Sequence, residues 1–103
     1  MRLQFPDDFF FGTSTAAVQI ETAHDHDWQG LKARDGFIFD QTTDHEKRID
    51  EDVNIIASLA PNYRMSLQWS KLQREAYAPF HEETTQHYHH LFQQLQQRNV
   101  RIM

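Results

Sequence analysis

The sequence contains no cysteine and only three glycines and three prolines. Without cysteine there is no disulfide framework and no thiolate metal site, and this usage is typical of a reducing compartment. Basic residues are outnumbered as well: ten Lys and Arg stand against fifteen Asp and Glu, which gives a formal net charge of −5. Because proteins that bind nucleic acid present a basic face, this charge argues against nucleic acid and against an anionic membrane surface as partners.

Long apolar runs are also absent. No stretch approaches the ~20 apolar residues that span a bilayer, and Met1-Arg2-Leu3 leads directly to Pro6 without an apolar signal segment. We therefore expect a cytoplasmic protein without a membrane partner.

Aromatic residues, by contrast, are abundant for so polar a chain: eight Phe, three Tyr and two Trp among 103 residues. A chain of this length forms one domain at most, and it buries a smaller fraction of its surface than a larger one. Because aromatic side chains need a large core to be buried, the composition indicates a piece of a larger domain.

The stretch from Phe5 to Glu21 is the most informative part of the chain. A Pro-Asp turn precedes the apolar run Phe9–Phe11 and Gly12 follows it, which predicts a short, fully buried strand at about 9–13. The small residues after this strand let other groups approach the backbone. Gln19 projects from that segment, and its amide can donate and accept hydrogen bonds at once. Gln19 is therefore a candidate for binding hydroxyl groups, the alternative being a glutamine that satisfies backbone groups.

Two amphipathic helices are predicted after a long loop at about 22–44. The first, at about 46–60, is indicated by apolar residues spaced by four, three and three positions, namely Ile49, Val53, Ile56 and Leu59. The second, at about 82–99, is indicated by the i, i+3, i+4, i+7 pattern of Tyr88, Leu91, Phe92 and Leu95.

Short strands are predicted at about 63–67 and from 100 to 103, and residues 68–72 form a loop or one helical turn. Strands that alternate with helices imply an α/β fold with parallel strands and right-handed crossovers. The chain holds about two and a half βα units and stops within a strand, so we expect an N-terminal fragment of a larger α/β domain.

Two stretches resemble family 1 of the glycoside hydrolases, the β-glucosidase family. The first is similar to the family's N-terminal signature and comprises Phe5-Pro6, Phe9, Gly12-Thr13-Ser14-Thr15-Ala16 and Gln19-Ile20-Glu21. The second resembles the first helix and second barrel strand of the family and comprises Asp44-His45, Arg48, Glu51-Asp52, Leu59 and Tyr63-Arg64-Met65-Ser66-Leu67-Gln68-Trp69-Ser70-Lys71. The resemblance covers nearly the whole chain.

The resemblance implies a (β/α)8 TIM barrel of which residues 1–103 form the first two and a half units. It also implies hydrolysis of β-glycosides with retention by two glutamates ~5 Å apart, without a cofactor. In the family these glutamates follow the fourth and seventh strands, beyond Met103. No catalytic residue is therefore expected in this chain, and we expect it to be inactive in isolation.

Two positions carry a role over from the family. The resemblance implies that Gln19 binds hydroxyls of the glycone sugar in a complete barrel. It implies that Arg64, at the end of the second strand, contacts the nucleophile and keeps it ionised, because a nearby cation lowers a carboxylate pKa. The alternative for Arg64 is an ion pair with Asp52 or Glu51 on the preceding helix.

The chain departs from the family pattern at several positions. Thr22 stands where the family usually has Gly, Val18 replaces an aromatic residue or His, and Met65 replaces Phe. The segment 23–36 is rich in His and Asp and unlike that of typical members. These departures bear on subfamily and aglycone specificity, and the sequence does not name the sugar.

The seven histidines raise the alternative of a small, independent binding or interaction protein that depends on a metal. His87 and His90 share a helix face, residues 24–27 alternate His and Asp, and Glu21 and His24 have a Glu-x-x-His spacing. Paired histidines on a polar helix face are usually solvated, and the Glu-x-x-His spacing falls in a loop, so we expect no metal site. Trp69 is expected to pack rather than to bind a sugar. A further hypothesis is that a complementary fragment supplies the missing part of the barrel.

Overall fold

The computed structural model of this protein describes residues 1–21 and 25–103. Within them, three short strands alternate with helices. The elements in chain order are β1 (Thr13–Ser14), α1 (Ala17–Ile20), a 3-10 turn (His45–Lys47), α2 (Ile49–Leu59), β2 (Asn62–Arg64), α3 (Trp69–Leu72), α4 (Glu82–Gln97) and β3 (Arg101–Ile102). In the described part of the chain no helix has the length and apolar character needed to cross a bilayer.

The three strands form one parallel sheet in the order β1-β2-β3. Tyr63 of β2 lies opposite Thr13 on one side and Ile102 on the other. Parallel neighbours need a crossover connection, and α2 and α4 occupy the two crossovers. The middle strand is therefore paired on both sides, while β1 and β3 are the edges of the sheet.

The hydrophobic core lies between β2 and the two long helices. Its fully buried side chains are Tyr63 from β2 and Leu91 and Leu95 from α4, each with no exposed surface. Val53 and Ile56 of α2 belong to the same buried cluster. The apolar stripes that predicted the two helices thus supply this core, except for Leu59, which is 66% exposed.

The C-terminal end of α4 determines where β3 begins. Asn99 adopts a left-handed conformation with φ of 58°. Its N–H donates to the Gln96 carbonyl at 2.9 Å, and the Val100 N–H donates to the Leu95 carbonyl at 3.0 Å. These two bonds form a Schellman motif, which satisfies carbonyls at the helix end. Val100 is then buried against the core, and the chain enters β3 directly.

The prediction that Phe9–Phe11 form a fully buried strand is wrong. Their side chains are 47–51% exposed, and the paired strand begins only at Thr13. The three residues precede the paired part of β1, and their rings lie outside the hydrophobic core of the described residues. Phe9 and Phe11 pack instead against Phe5, with ring centroids 4.7 and 5.0 Å apart.

The remaining elements differ from the predicted bounds mainly at their ends. The predicted helix at 46–60 is a 3-10 turn followed by α2, the strand at 63–67 is Asn62–Arg64, and the helix at 82–99 is Glu82–Gln97. The strand predicted from 100 to 103 is Arg101–Ile102, and the short helix α1 was not predicted. The predicted loop at 22–44 contains an isolated antiparallel bridge between Lys32 and Ile38.

Truncation of a core residue of α4 tests this packing. We expect Leu95→Ala to lower the free energy of unfolding by ~2–5 kcal/mol, because the cavity left behind collapses only partly. The exposed neighbour Gln96 is the control. Gln96→Ala should change the free energy of unfolding by less than ~0.5 kcal/mol. Urea unfolding followed by circular dichroism measures both, and equal effects would contradict the assignment of the core.

Candidate active-site edge of the sheet

The carboxyl ends of the three strands meet at one edge of the sheet, where backbone hydrogen bonds hold the following segments together. The Thr15 N–H donates to the Arg64 carbonyl, and the Met65 N–H donates to the Met103 carbonyl, each at 3.0 Å. The Ala17 N–H donates to the Ser66 Oγ at 2.9 Å. This last bond satisfies a donor in the first turn of α1, whose N-cap residue supplies no side-chain bond.

Gln19 and Arg64 both lie at this edge. Gln19 is in α1, immediately after β1, and Arg64 is the last residue of β2; both are exposed. The alternative of an ion pair between Arg64 and α2 is wrong for the described residues. Asp52 instead bonds His45 at 2.7 Å, and Glu51 lies 3.5 Å from Arg48.

Behind this edge, a buried carboxylate joins the segments that follow β1 and β2. Glu21 is 1% exposed, and both of its carboxylate oxygens lie 2.8 Å from the Tyr88 hydroxyl of α4. The same hydroxyl accepts a hydrogen bond from the Gln68 N–H at 2.9 Å. One phenol therefore connects the segment after β1, the segment after β2 and helix α4.

Lys71 lies between the two carboxylates of this cluster. Its ammonium group lies 3.7 Å from a Glu21 oxygen and donates a hydrogen bond to Glu46. Buried charges are tolerated when they are paired and hydrogen-bonded. We name Glu21, Glu46, Lys71 and Tyr88 the buried polar cluster.

Burial determines the proton affinities in and beside the cluster. It raises the pKa of the Glu21 carboxyl, a rise that the Tyr88 hydrogen bond and the Lys71 charge oppose. It also raises the pKa of Tyr88 far above its ordinary value, so the hydroxyl stays protonated and remains a donor. Burial lowers the pKa of the neighbouring His87.

The sequence did not predict the buried polar cluster: Glu21 drew notice as part of a signature and for its spacing to His24, not for a contact with Tyr88. Tyr88 and Glu21 are 67 positions apart, and no periodicity within a helix or strand links such distant residues. The one available signal was a Tyr on the apolar stripe of α4, because a buried tyrosine hydroxyl usually has a polar partner.

The histidines of the described residues do not converge on a common point. His87 lines a cavity of about 230 Å³ beside Glu46 and Tyr88, whereas the ring of His90 contacts Gln94 at 3.0 Å. Across residues 1–21 and 25–103, no three His, Asp or Glu side chains are grouped to hold a metal ion. The Glu-x-x-His spacing depends on His24, which lies outside the described residues.

The whole chain, residues 1–103, matches the sequence model of Glycosyl hydrolase family 1. It therefore belongs to glycoside hydrolase family 1, as the resemblance of its two signature stretches predicted.

Its relatives are glycosidases of several kinds. The 6-phospho-beta-galactosidase of Staphylococcus epidermidis is 30% identical over 97% of this chain and 23% of its own length. Thermostable beta-glucosidase B of Thermobispora bispora is 33% identical over 90% of this chain and 22% of its own length. The chain thus spans less than a quarter of these relatives.

The fold comparison agrees with the sequence comparison. The family 1 β-glucosidase of Thermotoga maritima superimposes with a TM-score of 0.81 at 25% identity, over 96% of this chain and 26% of that one. A β-glucosidase of the same organism has been solved in complex with deoxynojirimycin. The predicted fold class, part of a family 1 TIM barrel, is confirmed.

The hydroxyl of Tyr88 offers a direct test of the buried polar cluster. Tyr88→Phe removes a donor from Glu21 and leaves the Gln68 N–H without its acceptor, so we expect the free energy of unfolding to fall by ~1–3 kcal/mol. The matched control is Tyr77→Phe, since Tyr77 is fully exposed. Urea unfolding at neutral pH measures both variants, and an equally small effect of both would show that the bonds of Tyr88 do not stabilise the fold.

The raised pKa of Glu21 predicts a pH dependence of stability. The folded state holds the Glu21 proton more tightly than the unfolded state, whose carboxyl titrates near 4.5. The contribution of the protonated Glu21 carboxyl to the free energy of unfolding is fully present below pH 4.5. It is lost as pH rises through the higher pKa of the folded state. Glu21→Gln cannot titrate, so wild type should lose stability relative to this variant as pH rises from 4 to 7. Urea unfolding at each pH gives the free energy of unfolding of wild type minus that of Glu21→Gln. If this difference stays constant or rises from pH 4 to pH 7, the direction of the pKa shift is contradicted.

Proposed function

We propose that this chain supplies the first βα units of a barrel that hydrolyses β-glucosides or related β-glycosides with retention. Family membership and relatives named β-glucosidase support this reaction class. The observation that carries the proposal is the position of Gln19, exposed in the turn after β1 at the carboxyl edge of the parallel sheet. In barrels of this type the active site is built at that edge.

Gln19 has the chemistry of a sugar-binding residue in this position. Its amide donates and accepts hydrogen bonds, as adjacent sugar hydroxyls require. The backbone around it is fixed, because its own N–H donates to the Ala16 carbonyl at 2.9 Å and Ser66 holds the start of α1. The structural alternative, in which the side chain satisfies buried backbone groups, is disfavoured by its exposure.

Arg64 is proposed to support a nucleophilic carboxylate. It ends β2 at the same edge, and its backbone carbonyl is tied to Thr15. Its side chain is exposed, and the nearby carboxylates of α2 are engaged with Arg48 and His45. A guanidinium held beside a carboxylate keeps that carboxylate ionised, which is the state a nucleophile needs.

The chain by itself offers no suitable pair of catalytic carboxylates among its described residues. The closest arrangement is that of Glu21 and Glu46, which share Lys71. Glu21 is 1% exposed, so a glycosidic oxygen does not reach it. We therefore propose that both catalytic glutamates belong to the part of the barrel that this chain lacks, and that the 103-residue chain alone is inactive.

The open edges of the sheet fit a partner that completes the barrel. β1 and β3 each pair with β2 alone, and the aromatic rings before β1 are about half exposed. Edge strands present unpaired backbone groups that bind another strand readily. The proposed partner is a polypeptide that carries the remaining strands of the family 1 barrel, joined to this chain or supplied separately.

The isolated chain is expected to release no chromophore from an aryl β-glucoside. Co-expression with the remaining strands of a family 1 barrel should restore turnover, because the missing glutamates are then supplied. Release of p-nitrophenol from p-nitrophenyl β-glucoside measures both, with the remaining strands alone as control. Turnover by the isolated chain would contradict the inactivity, and a folded complex without turnover would contradict the proposed function.

The role of Gln19 is tested in a chimera that carries this chain in place of the equivalent quarter of the Thermotoga maritima enzyme. Gln19→Ala should lower kcat/KM for an aryl β-glucoside about 10- to 100-fold, because lost hydrogen bonds to hydroxyls cost ~1–3 kcal/mol. Gln93→Ala, on the exposed face of α4, should change it less than about twofold. Equal kinetics for the two variants would contradict sugar binding by Gln19.

A further inference from the structure

Helix α1, which carries Gln19, is too short to be stable by itself. It has four residues, Ala17–Ile20, and helices shorter than about 12–15 residues are marginal in water without outside contacts. Its N-cap residue, Ala16, makes no side-chain hydrogen bond. The conformation of α1, and with it the position of Gln19, therefore depends on groups that other parts of the chain supply.

The start of α1 is held by the segment that follows β2. The Ala17 N–H belongs to the first turn, where no carbonyl of the helix itself can accept it, and it donates to the Ser66 Oγ at 2.9 Å. Ser66 is 49 positions away in the sequence, so the helix receives its cap from a neighbouring strand segment. Ala17 is buried, and loss of the Ser66 hydroxyl would leave a largely buried donor without a partner.

The end of α1 is held by helix α4. Glu21 is the C-cap residue of α1, and its N–H donates to the Ala17 carbonyl at 2.9 Å. Its buried carboxyl group contacts the Tyr88 hydroxyl through both oxygens. The same hydroxyl accepts the Gln68 N–H, so this attachment also reaches the segment that follows β2.

Both ends of α1 are thus tied to one segment, residues 66–68, and Gln19 lies between the two ties with an exposed side chain. We propose that Ser66 and Tyr88 are positioning residues for Gln19. They fix the backbone of α1, so the amide presents its donor and its acceptor in a constant direction, and less entropy is lost when both bind hydroxyl groups. This role rests on the proposed function, which makes Gln19 a sugar-binding residue.

Amide hydrogen exchange of the 103-residue chain, followed by NMR, tests the two attachments without a substrate. The N–H groups of Gln19 and Glu21 both bond within the α1 turn. Ser66→Ala and Tyr88→Phe should each speed exchange at these two amides about 5- to 10-fold, because the turn opens more often. This acceleration should exceed any change at the Leu91 amide in the core of α4, which reports global unfolding.

Three further variants control the exchange measurement. Ser66→Thr keeps the hydroxyl and should restore the wild-type exchange rates. Ser58→Ala and Tyr77→Phe should leave both amides unchanged, because Ser58 bonds within its own helix and Tyr77 is fully exposed. Unaltered exchange in Ser66→Ala and Tyr88→Phe, or an equal change in the two controls, would overturn the attachments.

Turnover of an aryl β-glucoside by the Thermotoga maritima chimera tests the positioning role. Ser66→Ala and Tyr88→Phe should each lower kcat/KM about 3- to 10-fold. In a chimera that already carries Gln19→Ala, neither should lower it further by more than about twofold, since a positioning residue acts through the group that it positions. Additive losses in the double variants would overturn the role, because Ser66 or Tyr88 would then act independently of Gln19.

The outcomes separate this inference from the proposed function. A folded chimera without turnover would contradict the proposed function, and hydrogen exchange would still decide whether Ser66 and Tyr88 hold α1. An active chimera whose double variants lose activity additively would contradict the positioning role alone.

Discussion

The arrangement of the candidate active-site edge depends on one hydroxyl group, that of Tyr88. It contacts both oxygens of Glu21 at 2.8 Å and accepts the N–H of Gln68 at 2.9 Å. The backbone beyond β1 is thereby fixed relative to the backbone beyond β2, and both are fixed to α4. Lys71 lies 3.7 Å from a Glu21 oxygen, so this buried carboxyl group has a cation beside it. Gln19 and Arg64, which are exposed, owe their fixed backbones to this buried support and to the bonds of Thr15 and Ser66.

The sheet accounts for only one stretch of the family 1 barrel wall. Three consecutive parallel strands give one stretch of a barrel wall, with a polar carboxyl edge and two strand edges that pair with nothing described here. A barrel of this class needs ~250 residues, and the chain spans about a quarter of its structural relatives. The half-exposed rings of Phe5, Phe9 and Phe11 are consistent with a surface that the rest of a barrel covers. We propose that sugar recognition by Gln19 and the catalytic carboxylates are divided between this part and the remainder.

The sequence predicted the helices, which depend on neighbouring positions, but not the contacts between residues far apart in the chain. The stripes containing Val53 and Leu91 predicted both long helices, because a 3.6-residue period is a property of neighbouring positions. Gln19 was singled out from a signature and lies at the expected edge. The burial of Phe9–Phe11 was predicted wrongly, since burial depends on what lies across the sheet and not on the run itself. The contact of Glu21 with its distant tyrosine leaves no trace in local spacing, so only the folded chain reveals it.

We propose that Gln19 faces the glycone of a β-glycoside once the barrel is complete. A crystal structure of the Thermotoga maritima chimera bound to deoxynojirimycin tests it most directly. We expect the Gln19 amide within ~3.2 Å of two hydroxyls of the iminosugar, with Arg64 beside the nucleophile carboxylate. A Gln19 side chain turned to solvent or to its own backbone, with the iminosugar hydroxyls bound by other residues, would contradict it.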